Sequence, residues 1–153
     1  MAISNIKLAS EQGVDYGRLQ DLLSLQQWKA ANQETTKVLI RATRQPSDAL
    51  LDGTMIPRLP CTDLNTIDQL WRVASDSHFG LSVQHKIWRN LGQKTDWDAY
   101  CQVGELLGWR SNNSWLNYWQ LTLDLSAPAG LLPFSHRWFL AMMQRLEDCR
   151  LGD

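Results

Sequence analysis

Arg58 and Arg137 are the side chains of this sequence best suited to hold a ligand. A guanidinium presents a planar fork of donors that matches a carboxylate with two parallel hydrogen bonds. Each of these arginines lies in or beside a proline-broken stretch rich in apolar residues. Residues 45–59 carry Pro46, Gly53 and Pro57 among Leu50, Leu51, Met55, Ile56 and Leu59, and residues 127–138 carry Leu131-Leu132-Pro133-Phe134. Two apolar loops in a helical chain, edged by arginine, suit a flat apolar ligand with carboxylates on its rim. A second reading stands beside it, in which the first loop tucks onto the core and Arg137 caps a helix or forms a surface ion pair.

Catalytic chemistry finds no such support. The chain has no GxSxG, no P-loop, no HExxH and no GxGxxG. His78, His85 and His136 are scattered, and His85 falls on the polar side of its helix and reads as a surface histidine. Asp63 and Asp68 read as helix-start residues. A non-enzymatic binding protein is expected.

The elements that must position these residues follow from apolar spacing. Asp15 caps a helix to about Leu25, and a longer helix follows to about Thr43 with Trp28, Ala31, Thr35, Val38, Leu39 and Ala42 on its apolar face. Lys29, Glu34 and Lys37 fall on the solvent side. Residues 45–59 lack periodicity and form a loop, with room for a short turn at Asp48–Leu51. Thr66 and Gln69 have capping-box spacing, which starts a helix near Thr66. Phe79-Gly80 makes a corner, and Ser82 caps the next helix, with Val83, Ile87, Trp88 and Leu91 inward. Trp71 and Trp88 belong to the centre of the core. Asp96 caps a helix to Leu107 with Trp97, Tyr100, Cys101, Gly104 and Leu107 buried. Residues 109–115 read as a small hairpin around Asn112-Asn113, or else as an interhelical loop. Ser135 caps the last helix, about Arg137 to Cys149. The class is all-α: a loose arm at 1–13, then a single domain at 14–150.

Composition agrees. A chain of 153 residues is one domain by size, and a net charge of −1 lacks the basic footprint of a nucleic-acid binder. Eight Trp is a high count, suited to a large core or a flat-ligand site. Cys61, Cys101 and Cys149 have no metal-ligand spacing and read as reduced thiols. No apolar run approaches the ~18 residues of a membrane helix. The start has no signal region, so the chain reads as soluble and not exported, compatible with a plastid transit peptide removed beforehand.

Specific strings add a resemblance. PCTDLNTIDQLW at 60–71 and FGLSVQHKIW at 79–88, with VDYGRLQDLL at 14–23, Gly108-Trp-Arg110 and DLSAPAGLLP at 124–133, resemble the tetrapyrrole-binding domain of the genomes-uncoupled family. The resemblance runs from Val14 to about Cys149. It implies an all-α, hand-like fold that binds protoporphyrin IX or Mg-protoporphyrin IX, in some members a bilin, in a greasy cleft between two loops. It implies a non-enzymatic regulator of magnesium chelatase acting through the large subunit of that enzyme, in a cyanobacterial cytoplasm or a plastid stroma. It leaves a peripheral membrane association open. The cleft would be lined by Met55, Leu59, Leu132, Phe134, His136 and Trp138, with Trp115 nearby, Arg137 at the ligand's propionates and Arg58 beside the first loop. His136 as an axial magnesium ligand is an alternative role.

Departures from the pattern stand beside it. Leu131 occupies the place of a usual His, Lys86 follows His85 where a Lys-Arg pair is common, and the N-terminal helical bundle of many members is missing. A paralogous interaction or signalling module with altered or lost ligand binding is the alternative function.

Overall fold

A computed structural model describes residues 2–46, 49–134 and 136–151. Six α-helices carry the fold: α1 (Gly17–Ser24), α2 (Trp28–Ala42), α3 (Cys61–Ser75), α4 (Leu81–Asn90), α5 (Trp97–Leu107) and α6 (Phe139–Cys149). A two-stranded hairpin, β1 (Arg110–Ser111) and β2 (Ser114–Trp115), pairs Arg110 with Trp115. Asn112 and Asn113 turn it with φ of 51° and 63°, the left-handed pair that a two-residue hairpin loop requires.

The helices form because each has one apolar stripe with somewhere to bury it. α1 and α2 make a short-looped antiparallel pair against α3. Trp28, Trp71 and Phe79 meet there, with ring centroids 5.5–6.2 Å apart. The Trp71 indole N–H donates to Thr35 Oγ1 at 2.9 Å, so the most buried Trp has its one polar atom satisfied. Trp71 and Trp88 both lie in the core.

Several boundaries differ from those read in the sequence. α3 starts at Cys61, more than a turn before Thr66. The Thr66 hydroxyl donates to the carbonyls of Ala9 and Thr62, so it anchors the N-terminal arm and caps nothing. Gly80, not Ser82, is the N-cap of α4, at φ 141°. A Cβ there would stand 2.9 Å from Arg72 Cγ. The Ser82 N–H is met by Asp68 Oδ1 at 2.8 Å, so Asp68 caps a neighbouring helix, not its own. α4 is also rotated from the expected face. Leu81, Gln84, His85 and Trp88 are buried, while Val83, Ile87 and Leu91 are half-buried. His85 is therefore no surface histidine: its Nε2 lies 2.9 Å from Glu147 Oε1. Glu34 is likewise buried, with Arg18 and Arg41 each 3.5 Å from its carboxylate.

Residues 2–13 are not a loose arm. Ile6 is buried, and the buried Asp63 carboxylate accepts from the Ser10 hydroxyl, the Glu11 N–H and the Tyr16 hydroxyl. Nor are all three cysteines thiols. Cys61 at the start of α3 and Cys149 at the end of α6 are disulfide-bonded, with Cα atoms 5.4 Å apart, and only Cys101 is free. Their 88-residue separation hides a pairing that the helix ends create. α6 begins at Phe139. Its expected cap, Ser135, and the start of the expected turn at Asp48–Leu51 lie outside the described residues.

Candidate functional site

The residues nominated from sequence separate into two groups. Trp115, Phe134 and His136 meet. The His136 ring lies 5.7 Å from Trp115 and 5.2 Å from Phe134. Trp115 stacks on Tyr100 of α5 at 4.6 Å, and Trp97 lies 6.3 Å from Trp115. Phe134 packs edge-on against Trp109 at 5.3 Å and near Tyr118 at 6.1 Å. One aromatic cluster thus joins α5, the hairpin, the 3₁₀ turn at Tyr118–Gln120 and the loop before α6. Trp97, expected in the core, is 64% exposed at the edge of the cluster.

The other group, Arg58 and Arg137 apart, is buried. Leu59 and Leu132 are fully buried and belong to the main core, and Met55 and Trp138 are buried. The 3₁₀ turn at Ile56–Arg58 packs on α6, and the Leu59 carbonyl accepts from Arg145 Nε at 2.9 Å. Arg58 is exposed on that turn, and Arg137 is exposed beside His136.

Backbone latches fix the loop that carries Phe134 and His136. Gln84 Nε2 donates to the carbonyls of Gly130 and Pro133 at 3.0 and 2.7 Å. The Gly80 N–H donates to Leu132 and the Gly130 N–H to His78, at 3.0 and 2.8 Å. The Trp109 indole donates to the Leu131 carbonyl at 2.8 Å. Asn32 of α2 accepts from the Phe134 N–H at 2.8 Å and donates to the Tyr118 hydroxyl at 3.3 Å. The Tyr100 hydroxyl donates to the His136 carbonyl. Leu131 fills the core, and a Cβ on Gly108 would stand 3.1 Å from its Cδ1. The Leu132–Pro133 peptide is cis.

The cluster keeps its polar tips neutral. Burial pushes the Tyr100 hydroxyl up to about 12, with the neighbouring Cys101 adding to it. Burial also raises Tyr118. Burial, and then the charge of Arg137, hold His136 below its ordinary 6.5, so the imidazole is uncharged at neutral pH. Among the described residues the buried Trp115 Nε1 makes no hydrogen bond, and Arg110 Nε makes none but faces the carboxylate of Glu105. The Arg110 guanidinium lies 5.9 Å over the Trp115 ring, and its Nε is 3.5 Å from Glu105 Oε1. A buried donor without an acceptor costs about 1–3 kcal/mol, which an incoming carboxylate or carbonyl would recover.

Tyr100, Trp109, Tyr118 and Arg110 were not nominated from sequence. Gly104 was the one available signal. Its missing side chain admits the Trp115 ring, since a Cβ there would stand 2.6 Å from two atoms of the indole.

The chain is thus a predominantly helical domain that presents a half-open aromatic cluster. Residues 9–146 match the GUN4-like family, and the chain belongs to it. The chain is 34% identical over 129 residues to the Ycf53-like protein of Synechocystis sp., covering 82% of this chain and 53% of that protein. The chain spans about half the length of that curated relative. A 72-residue stretch is 33% identical to the chloroplastic tetrapyrrole-binding protein of Arabidopsis thaliana, covering 46% of this chain and 27% of that protein. The fold matches the solved structure of GUN4 from Chlamydomonas reinhardtii with a TM-score of 0.80 at 28% identity, over 94% of this chain and 97% of that one.

Proposed function

We propose that this chain is a non-enzymatic tetrapyrrole-binding protein whose ligand lies against Trp115, Phe134 and His136. The observation that carries the reading is the cluster itself: Tyr100, Trp115, His136 and Phe134 in ring-to-ring contact, with Trp97 turned out to solvent at its rim. Flat aromatic faces with uncharged polar tips suit a porphyrin or bilin, and such faces add about 0.5–1.5 kcal/mol per pair beyond area burial. Trp115 Nε1 and the exposed Arg137 guanidinium supply donors for the ligand's carboxylates. Family membership and the relative named as tetrapyrrole-binding support the same ligand class.

Protoporphyrin IX, its magnesium form and a linear bilin are the ligands to weigh. Regulation of magnesium chelatase through its large subunit is the role this reading extends to, in a cyanobacterial cytoplasm or a plastid stroma. Among the described residues no helix is long and apolar enough to cross a membrane.

Titration of the chain with deuteroporphyrin, its magnesium form and biliverdin, followed by Trp quenching and ligand absorbance, tests this. Saturable binding of one of them at micromolar concentration is expected, and the preferred one separates a chlorophyll-branch from a bilin-branch role. Arg137→Ala should weaken a dicarboxylate porphyrin while leaving its dimethyl ester unaffected. Absence of binding to all three would favour a protein-interaction module.

A further inference from the structure

A groove of about 1060 Å³ opens between α3, α4 and the end of α6, and none of its lining residues belongs to the aromatic cluster. Arg72, Lys86, Arg89 and Arg150 line it, against the single carboxylate of Asp68. Asp68 is already engaged on both oxygens, by Arg72 Nε at 2.9 Å and by the Ser82 N–H at 2.8 Å. Arg72 is thereby paired and Arg89 is engaged as well, with Glu147 3.7 Å away, so the exposed Lys86 and Arg150 are the cations that the groove offers to a partner. The chain as a whole carries −1, so this concave surface runs against the net charge. A cleft lined by one sign of charge focuses its field and attracts the opposite sign.

We propose that this groove docks an acidic segment of a partner protein, its Asp and Glu carboxylates spaced along the trough. The cations come from α3, from α4 and from Arg150 just past the end of α6, and are spread along the groove. No ring of buried donors closes on one point, as a small anion would need. So few cations without an aromatic platform also fall short of a nucleic-acid surface. The trough is preformed, because the Cys61–Cys149 disulfide lies in its wall and ties the start of α3 to the end of α6. A preformed site loses little affinity to ordering, and complementary charge speeds encounter and selects the partner. This site is separate from the tetrapyrrole reading and does not depend on it.

The test uses the full chain and a fluorescein-labelled decaglutamate peptide, followed by fluorescence anisotropy at low salt. Saturable binding is expected. It should weaken about tenfold in the double variant Lys86→Glu/Arg150→Glu, fall with added salt, and be absent for a decalysine peptide. Both side chains are exposed, so melting temperature and porphyrin titration should be unchanged in the variant. If charge reversal unfolds the chain, Lys86→Gln/Arg150→Gln serves in its place, with a weakening of about threefold expected. No saturable binding of decaglutamate, or equal binding by a folded variant, would overturn the proposal.

Discussion

The indole of Trp115 lies on the phenol of Tyr100 with ring centroids 4.6 Å apart and planes inclined by 28°. That stack exists because Gly104, one turn along α5 from Tyr100, offers no side chain. A Cβ at Gly104 would stand 2.6 Å from Trp115 Cη2 and Cζ3. Gly104→Ala should therefore push the indole away from Tyr100. Overpacking costs about 1–3 kcal/mol, and the better helix propensity of Ala returns about 1. A small net loss of stability is expected, together with a clear loss of near-ultraviolet circular dichroism and of porphyrin affinity. Unchanged dichroism would mean that the indole is not held by this contact.

The neutral imidazole of His136 makes stability depend on pH. Its folded-state pKa is lowered, chiefly by burial and then by Arg137. The unfolded chain therefore binds the proton more readily than the folded one. Stability is full above the unfolded value near 6.5 and is lost as pH falls through that value toward the folded one. Wild type should lose more melting temperature than His136→Gln between about pH 7 and pH 5. Parallel pH curves for the two proteins would remove His136 from this role.

Asp63 should hold the N-terminal segment in place. It accepts from Ser10, the Glu11 N–H and the Tyr16 hydroxyl, the last at 2.6 Å, in a fully buried position. Asp63→Asn turns one acceptor oxygen into a donor facing donors. A cost of about 3 kcal/mol is expected, and limited proteolysis should then cut within residues 2–13. Resistance equal to wild type would show that the segment is held by Ile6 and Thr66 alone.

The disulfide closes a loop of 88 residues between Cys61 and Cys149. Chain-entropy arguments assign a loop of that length about 4.6 kcal/mol. Cys61→Ser should lower the urea midpoint accordingly, and a dithiol reductant should do the same to wild type but not to the variant. A midpoint unaffected by either treatment would contradict the bond.

Helices were legible in the sequence because their apolar spacing is regular. α2 and α5 end within a residue or so of where spacing and Gly108 put them, and Asp96 caps α5 by accepting from the Ala99 N–H. What could not be read were side chains serving a distant partner. Thr66 and Ser82 have the look of caps, yet one reaches Ala9 and the other is met by Asp68. His85 and Glu34 look like surface residues, yet each is buried against a partner from another helix or a remote position. The site divided in the same way. Phe134 and His136 lie in the loop that breaker residues marked, whereas Leu59 and Leu132, equally apolar, were drawn into the core. A one-dimensional pattern cannot tell an apolar side chain waiting for a ligand from one already packed.

The most direct test is a paired titration of wild type and Trp115→Ala with deuteroporphyrin, read by Trp quenching and porphyrin absorbance. The account predicts saturable binding to wild type and an affinity at least tenfold lower for the variant, about 1.4 kcal/mol. Equal affinity of the two folded proteins would place the ligand elsewhere and contradict the assignment of the aromatic cluster as the binding site.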